Sequence, residues 1–394
     1  MTRRLQGRGV MKITFVIPDL FVQGAQYATA MMANGFARKG YEVEILLSQY
    51  HNDRIAEGKY KPFPVDAAVR LVFLPKHKAR ENIWALRRYL TTTDAAAVVS
   101  MALTCTKALR LASFGLRKRP LIVHVEHAIP GYRIDGSVVP TPRRFGWDWL
   151  KRWVYWRGFD RVLTVSARGK DDFCRINAMY PRDRVYPVYN PVVDENFEAK
   201  KRLSAKHPWL VDKKCFTFVT AGVMEDYKAQ IYLLEAVKLL KDEGTRVRVI
   251  LFGKGSYRPR FEKFIAENGL EDWIDLPGHT GQLPAEMKAA DAFVLPSEME
   301  SFGIVIVEAL ACGLPCVCAD APYGPREILE DGKYGILVPR RDARALAEGM
   351  KAVVKKGKIV PPDESWKRFT VEKAVERYEK GIGLSIEESI HVGH

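Results

Sequence analysis

Two carboxylates, a glycine and the opening of a helix stand close together in the run Pro296-Ser297-Glu298-Met299-Glu300-Ser301-Phe302-Gly303-Ile304-Val305-Ile306-Val307-Glu308-Ala309-Leu310-Ala311-Cys312-Gly313-Leu314-Pro315. An apolar strand ends at Leu295, a loop carries Glu300, Gly303 allows close backbone approach, and a helix begins that bears Glu308 about one turn in. Such a junction offers two carboxylates and several free backbone N–H groups at one strand end. The N–H groups suit phosphate or sugar oxygens, and the carboxylates suit sugar hydroxyls. Each carboxylate also has a plainer use, as a charge that satisfies the dipole at a helix start.

Other candidates sit at similar junctions. Gly24 lies between the first apolar run and the first helical segment, where a diphosphate would meet amides and the positive end of a helix dipole. Lys228 follows the strand 216–221 and the turn Gly222-Val223-Met224; alone, it reads equally well as a solvated lysine at a helix start. His127 ends the strand 121–126 with His124 nearby, and either orients a hydroxyl or serves the core. Gly253-Lys254-Gly255 follows the strand 247–252, and either approaches a nucleotide or only turns the chain.

The elements that must position these residues follow from periodicity. Short apolar, β-branched runs alternate with segments of helical period, the pattern of parallel sheets with crossover helices. The first half predicts strands at 12–18, 42–47, 69–74, 96–101, 121–126 and 161–165, with a helix over 25–39 ended by Gly40. The second half predicts strands near 216–221, 247–252, 273–276, 292–295, 315–318 and 335–338, and helices over 231–240, 257–267, 304–312 and 343–354. The fold class is therefore α/β, with two doubly wound Rossmann-like domains facing a cleft. A basic extension covers 1–10, the first domain 11–200 and the second 201–365, and residues 366–394 carry a helix at about 371–381 that packs back on the first domain. In sheets of this kind ligands bind beyond the carboxyl ends of the strands, where the crossing direction switches.

Composition agrees with two soluble domains. The 394 residues are 47% hydrophobic and 28% charged, which excludes a disordered or membrane-spanning chain. No run of about 18 apolar residues exists to form a transmembrane helix. The net charge is +15, and all of it lies in residues 1–200, with 33 Lys+Arg against 18 Asp+Glu; residues 201–394 carry 29 of each. That asymmetry fits either an anionic partner of the first half, such as a membrane surface, nucleic acid or a phosphorylated acceptor, or a generic basic surface. Six cysteines without metal-ligand spacing fit a reduced, cytoplasmic compartment. The stretch 143–157 gathers four of the eight tryptophans with five cations, and on helical spacing Trp149, Trp153 and Trp156 share a face. That face suits either an anionic membrane surface or the core of the first domain.

The run from Pro296 to Pro315 resembles the Glu-x7-Glu signature of glycosyltransferase family 4, here Glu300 and Glu308. Asp320, Gly324-Pro325-Arg326-Glu327-Ile328, Gly332, Gly335 and Leu337-Val338-Pro339 extend the match, and agreement runs from residue 11 to about 380. The resemblance implies a GT-B fold, retention of anomeric configuration and no metal or other cofactor. By it, Glu308 binds the donor ribose, while Glu300 and the amides of Phe302, Gly303, Ile304 and Val305 hold the transferred sugar. It makes Lys228 a cation facing the diphosphate, Gly24 part of a loop near the donor phosphates, His127 a neighbour of donor sugar and acceptor, and Lys254 a residue near the nucleotide. Lys228, Glu300 and His127 are its catalytic candidates. The chain departs from the pattern at Val223, where the family carries an arginine beside the diphosphate; Lys228 remains, and either Lys254 or Arg326 compensates or the departure signals an altered donor or weak activity.

The function implied is transfer of a hexose or N-acetylhexosamine, with UDP as the favoured carrier, to a glycan or lipid-linked hydroxyl in cell-surface polysaccharide or glycolipid synthesis, at the cytoplasmic face of a membrane. The alternative, raised by Val223, is a weak or non-catalytic nucleotide-binding, membrane-associated module. No nucleic-acid recognition motif is present. The segment 17–24 lacks the Gly-x-Gly-x-x-Gly that a nicotinamide dehydrogenase would need.

Overall fold

The computed structural model describes residues 10–21, 24–58, 63–128 and 155–384. They fall into two compact units. The first holds the described residues up to Pro191 together with those from Val371 onward, and the second holds Val192–Thr370.

The first unit is built on β1 (Lys12–Val16), β2 (Glu42–Leu47), β3 (Val69–Phe73), β4 (Ala97–Ser100), β5 (Leu121–Glu126), β6 (Arg161–Thr164) and β7 (Val185–Pro187). They pair in parallel in the order β3-β2-β1-β4-β5-β6-β7, with Ile13 opposite Val43 and Ala97. Runs such as Ile13–Val16 and Val43–Leu47 are buried throughout, because crossover helices cover both faces of the sheet. β7 is the strand the sequence reading lacks; three residues between Arg184 and Val188 are too few to show a period. The direction of crossing reverses between β1 and β4.

The second unit repeats the plan with β8 (Phe216–Ala221), β9 (Val247–Phe252), β10 (Ile274–Gly278), β11 (Ala292–Leu295), β12 (Cys316–Ala319) and β13 (Gly335–Val338). Their order is β10-β9-β8-β11-β12-β13, all parallel, so the switch lies between β8 and β11. Phe218, Val249, Leu251, Val294 and Val317 from the sheet pack with Leu233, Val237, Leu240 and Met350 from the helices.

Two details set the ends of the units. The polar stretch after Asn190-Pro191, a boundary by its composition, contains the helix Glu195–Lys201. Asp194 Oδ1 caps it by accepting from Phe197 N at 2.7 Å, Phe197 is buried, and the amides of Lys206 and His207 donate to the Glu286 carboxylate at 3.1–3.3 Å. These bonds tie the segment to the second unit. The helix Val371–Ile382 belongs with the first unit: a Cβ at Gly35 would lie 2.4 Å from Val371, and buried Glu379 accepts from Tyr41 Oη at 2.7 Å and Lys39 Nζ at 2.6 Å.

Most of the stretch 143–157 lies outside the described residues. Trp156 does not face outward: it is buried against Phe173, Phe159 and His124, with ring centroids 4.7, 5.6 and 5.3 Å away. The six cysteines are unpaired, and five of them are buried. Among the described residues, no helix is long and apolar enough to cross a membrane.

Candidate functional site

The loops after β8, β9, β11 and β12 leave the same edge of the second sheet and are laced together by backbone contacts. Gly222 N donates to Phe252 O at 3.0 Å and Met224 N to Lys254 O at 2.9 Å. A Cβ at Gly253 would stand 1.9 Å from Gly222 O and one at Gly255 2.2 Å from Met224 O, so the Gly253-Lys254-Gly255 turn needs its glycines to lie against the turn after β8. The Lys254 side chain is exposed beside this contact. Gln230 Nε2 donates to Val223 O at 2.8 Å and fixes the same turn, while the Val223 side chain is exposed.

Across the switch point, Tyr227 O accepts from Glu298 N at 3.1 Å and joins the β8 loop to the β11 loop. This brings Lys228 Nζ to 2.5 Å from Glu300 Oε1. Their side chains are only 18% and 9% exposed, so the ion pair is largely out of water, and one of three ammonium donors is engaged. Glu300 is held in turn by a parallel bridge to Tyr323, whose backbone takes φ +74°. Gly324 follows, and a Cβ there would meet Phe302 O at 1.6 Å. Phe302 is buried with its ring 5.5 Å from Phe369 at 75°.

Gly303 at φ +94° turns the chain into the helix Ile304–Ala311. The amides of Ile304 and Val305 have no acceptor among the described residues, as expected for a first helical turn. Glu308, one turn on, is half-buried and its carboxylate has no hydrogen-bond or ion-pair partner among those residues. Burial pushes its pKa up to about 7, and the distant positive charge of Lys200 offsets this only in part. Glu300, by contrast, is paired.

Arg326, one of the two cations that could replace the missing arginine, is engaged by carboxylates. Its guanidinium forks onto Asp320, with Nε–Oδ1 at 2.9 Å, and its Nη1 reaches Asp331 at 3.4 Å. The sequence reading also missed Tyr227 and Tyr323. Both act through backbone groups, and a tyrosine at positive φ leaves no sign in its residue type.

In the first unit, Gly24 is exposed and opens the helix Gly24–Arg38 that follows β1, at that sheet's switch point. His127 follows β5, and its Nε2 is buried with no partner among the described residues. Burial holds its pKa down near 4, although the Glu126 carboxylate pulls upward. His124 is occupied within the core, where Nδ1 meets Thr106 Oγ1 at 2.9 Å and Nε2 lies 3.4 Å from Glu126 Oε2. Glu126 Oε1 also accepts from Ala128 N at 3.0 Å. The structure thus separates a core histidine, His124, from one with an unused nitrogen, His127.

Two parallel-sheet α/β units, each with loops gathered at a switch point, define the class of nucleotide-binding folds to which glycosyltransferases of the GT-B type belong. Residues 23–191 match the model of the glycosyl transferase 4-like domain and residues 201–370 that of glycosyl transferases group 1, and the chain belongs to this family. It is 29% identical over 199 residues to the alpha-D-kanosaminyltransferase of Streptomyces kanamyceticus, covering 49% of this chain and 50% of that one. It is 33% identical over 239 residues to the D-inositol 3-phosphate glycosyltransferase of Geodermatophilus obscurus, covering 56% and 52%. In both, the chain spans about half the relative's length. Anabaena HepE in complex with UDP and glucose has the same fold, with a TM-score of 0.70, 20% identity, and coverage of 95% of this chain and 99% of that one. The pneumococcal O-GlcNAc transferase GtfA in complex with UDP and GlcNAc superposes with a TM-score of 0.68 at 14% identity, covering 97% and 99%.

Proposed function

We propose that the protein is a retaining, metal-independent glycosyltransferase that moves a hexose or N-acetylhexosamine from a UDP-linked donor to a hydroxyl of a glycan or lipid-linked acceptor in polysaccharide or glycolipid synthesis. The observation that carries this reading is the part-buried Lys228–Glu300 pair at the switch point, beside the open amides of Ile304 and Val305 and the Glu308 carboxylate, unpartnered among the described residues. UDP in HepE and in GtfA supports the choice of nucleotide.

In this reading the Glu308 carboxylate accepts from the ribose hydroxyls. Lys228, aimed by Glu300, turns its remaining N–H donors to the diphosphate, and the helix start at Ile304 adds amides. Glu300 and the Phe302–Val305 backbone hold the sugar and Lys254 lies toward the nucleotide; of the first unit's residues, Gly24 is the candidate for the donor phosphates and His127, as a neutral imidazole, for the acceptor. The acceptor oxygen attacks the anomeric carbon on the face the diphosphate leaves. The glycosidic C–O bond to phosphate breaks, the acceptor proton passes to the leaving phosphate oxygen, and UDP is the second product. No carboxylate nucleophile takes part.

A panel of UDP-, GDP- and TDP-sugars tests the reading by thermal shift and by release of the nucleotide diphosphate. Binding and slow hydrolysis of a UDP-sugar are expected. Binding without any turnover, with or without acceptors, would instead favour the non-catalytic module that Val223 raises.

A further inference from the structure

More than half of the chain's net charge gathers in one short stretch. Residues 75–119 hold ten Lys and Arg against two acidic residues, a net +8 of the whole +15. Both acids are engaged: Asp94 lies 3.5 Å from Lys12, and Glu81 accepts from the Lys78 amide at 3.3 Å.

The stretch folds as the neighbouring helices Ile83–Thr92 and Leu103–Ala112. Leu86, Leu90, Cys105, Ala108 and Leu109 turn inward to the core of the first unit. Arg87 joins the two helices by donating to Ala112 O at 3.1 Å and Phe114 O at 2.7 Å. On the outside, Trp84 is 79%, Phe114 68%, Leu111 60% and Leu103 54% exposed. Leu103, Lys107 and Leu111 recur four residues apart and form one outward stripe; Trp84 and Arg88 share a second. The Arg110 guanidinium lies 5.7 Å from the Phe114 ring.

Scattered exposed apolar residues are ordinary, but three large ones on a joined helix pair and a fourth, Phe114, in the turn that follows it, within the most basic stretch of the chain, mark an interaction surface. We propose that this pair is the docking surface for an anionic lipid bilayer. Trp84, Phe114, Leu103 and Leu111 enter the boundary between headgroups and acyl chains, while Arg80, Arg88 and Lys107 reach lipid phosphates on their long stems. Charge complementarity selects an anionic partner. The two leucines select a bilayer over a soluble polyanion, since aliphatic side chains give a phosphate backbone nothing to bind. The surface lies outside the donor site and does not depend on the reading of that site.

Co-sedimentation of the full chain with vesicles of phosphatidylcholine alone, or mixed with phosphatidylglycerol, tests the proposal. Binding should be about tenfold stronger on the mixed vesicles and should weaken with salt as the screening length shortens. Trp84→Ser with Phe114→Ser should lower it about tenfold at every salt concentration. Arg80→Ser, Arg88→Ser and Lys107→Ser together should remove most of its salt dependence. All five side chains are exposed, so melting temperatures should hold, and release of nucleotide from donor in solution should match the unaltered protein in both variants. Equal binding to neutral vesicles, no binding to either kind, or a Trp84/Phe114 variant that binds like the unaltered protein would overturn the proposal. Full displacement by heparin with no effect of that aromatic pair would assign the surface to soluble polyanions instead.

Discussion

Glu308 is half-buried and unpartnered among the described residues, and burial pushes its pKa up to about 7. In the proposed complex ribose hydroxyls donate to the Glu308 anion, so nucleotide binding there favours the deprotonated form. Affinity for UDP should therefore rise with pH up to about 7 and level off above it, falling by about tenfold per unit on the acid side. The Glu308→Gln variant should show a flat profile, and calorimetric titrations at several pH values would check both. Glu308→Ala should weaken UDP by about tenfold to a hundredfold, because a hydrogen bond to a charged group is worth about 1.5–3 kcal/mol. Glu300→Ala should behave differently, lowering kcat by about a hundredfold or more with little change in nucleotide affinity. It should also cost about 1–3 kcal/mol of stability, since it leaves the part-buried Lys228 ammonium without its partner. Val223→Arg would restore a cation at an exposed position beside the same loop, and turnover should rise by about tenfold. A kinetic comparison in which Val223→Arg slows the reaction would show that the loop carries no deficit of charge.

At the scale of elements, the donor edge depends on how closely two backbones approach. Gly324→Ala places a methyl carbon where Phe302 O already stands, so the Glu300 loop and the start of the helix Ile304–Ala311 must both shift. Turnover should fall with a loss of about 1–3 kcal/mol in stability. Gly281→Ala meets nothing within 4 Å and serves as the control, with unchanged melting temperature and activity. The strands that carry these loops are legible in the sequence: β2, β5, β8, β9, β11 and β13 occupy the residues that their apolar runs mark. The helices of the first unit are less so. Ile83–Thr92 and Leu103–Ala112 pair inward leucines with outward Trp84, Leu103 and Leu111, which blurs the helical period of apolar residues. The helix Glu195–Lys201 buries little more than Phe197 and so reads as a polar link. In the candidate site, residue types show Lys228, Glu300 and Glu308 as candidates. The ion pair between the first two, the fork that engages Arg326 and the division of labour between His124 and His127 depend on tertiary contacts, which spacing does not encode.

For the whole molecule, the two units share a fold plan while the two halves of the chain differ in charge. The first half holds the entire net charge, and the second unit has the laced loops where a donor diphosphate is proposed to sit. The proposed reaction discharges a nucleotide diphosphate against Lys228 and backbone amides, so activity is expected to persist after treatment with EDTA. NMR of the glycosylated product should show the anomeric configuration of the donor; an inverted product would exclude attack on the leaving-group face. The central claim, that the edge around Lys228, Glu300 and Glu308 is a working donor site, is tested most directly by following UDP release from a panel of UDP-sugars in EDTA. The unaltered protein should release UDP from at least one of them, and Lys228→Ala should slow that release by about a hundredfold while the protein stays folded. No UDP release from any sugar in the panel, or equal release by Lys228→Ala, would contradict it.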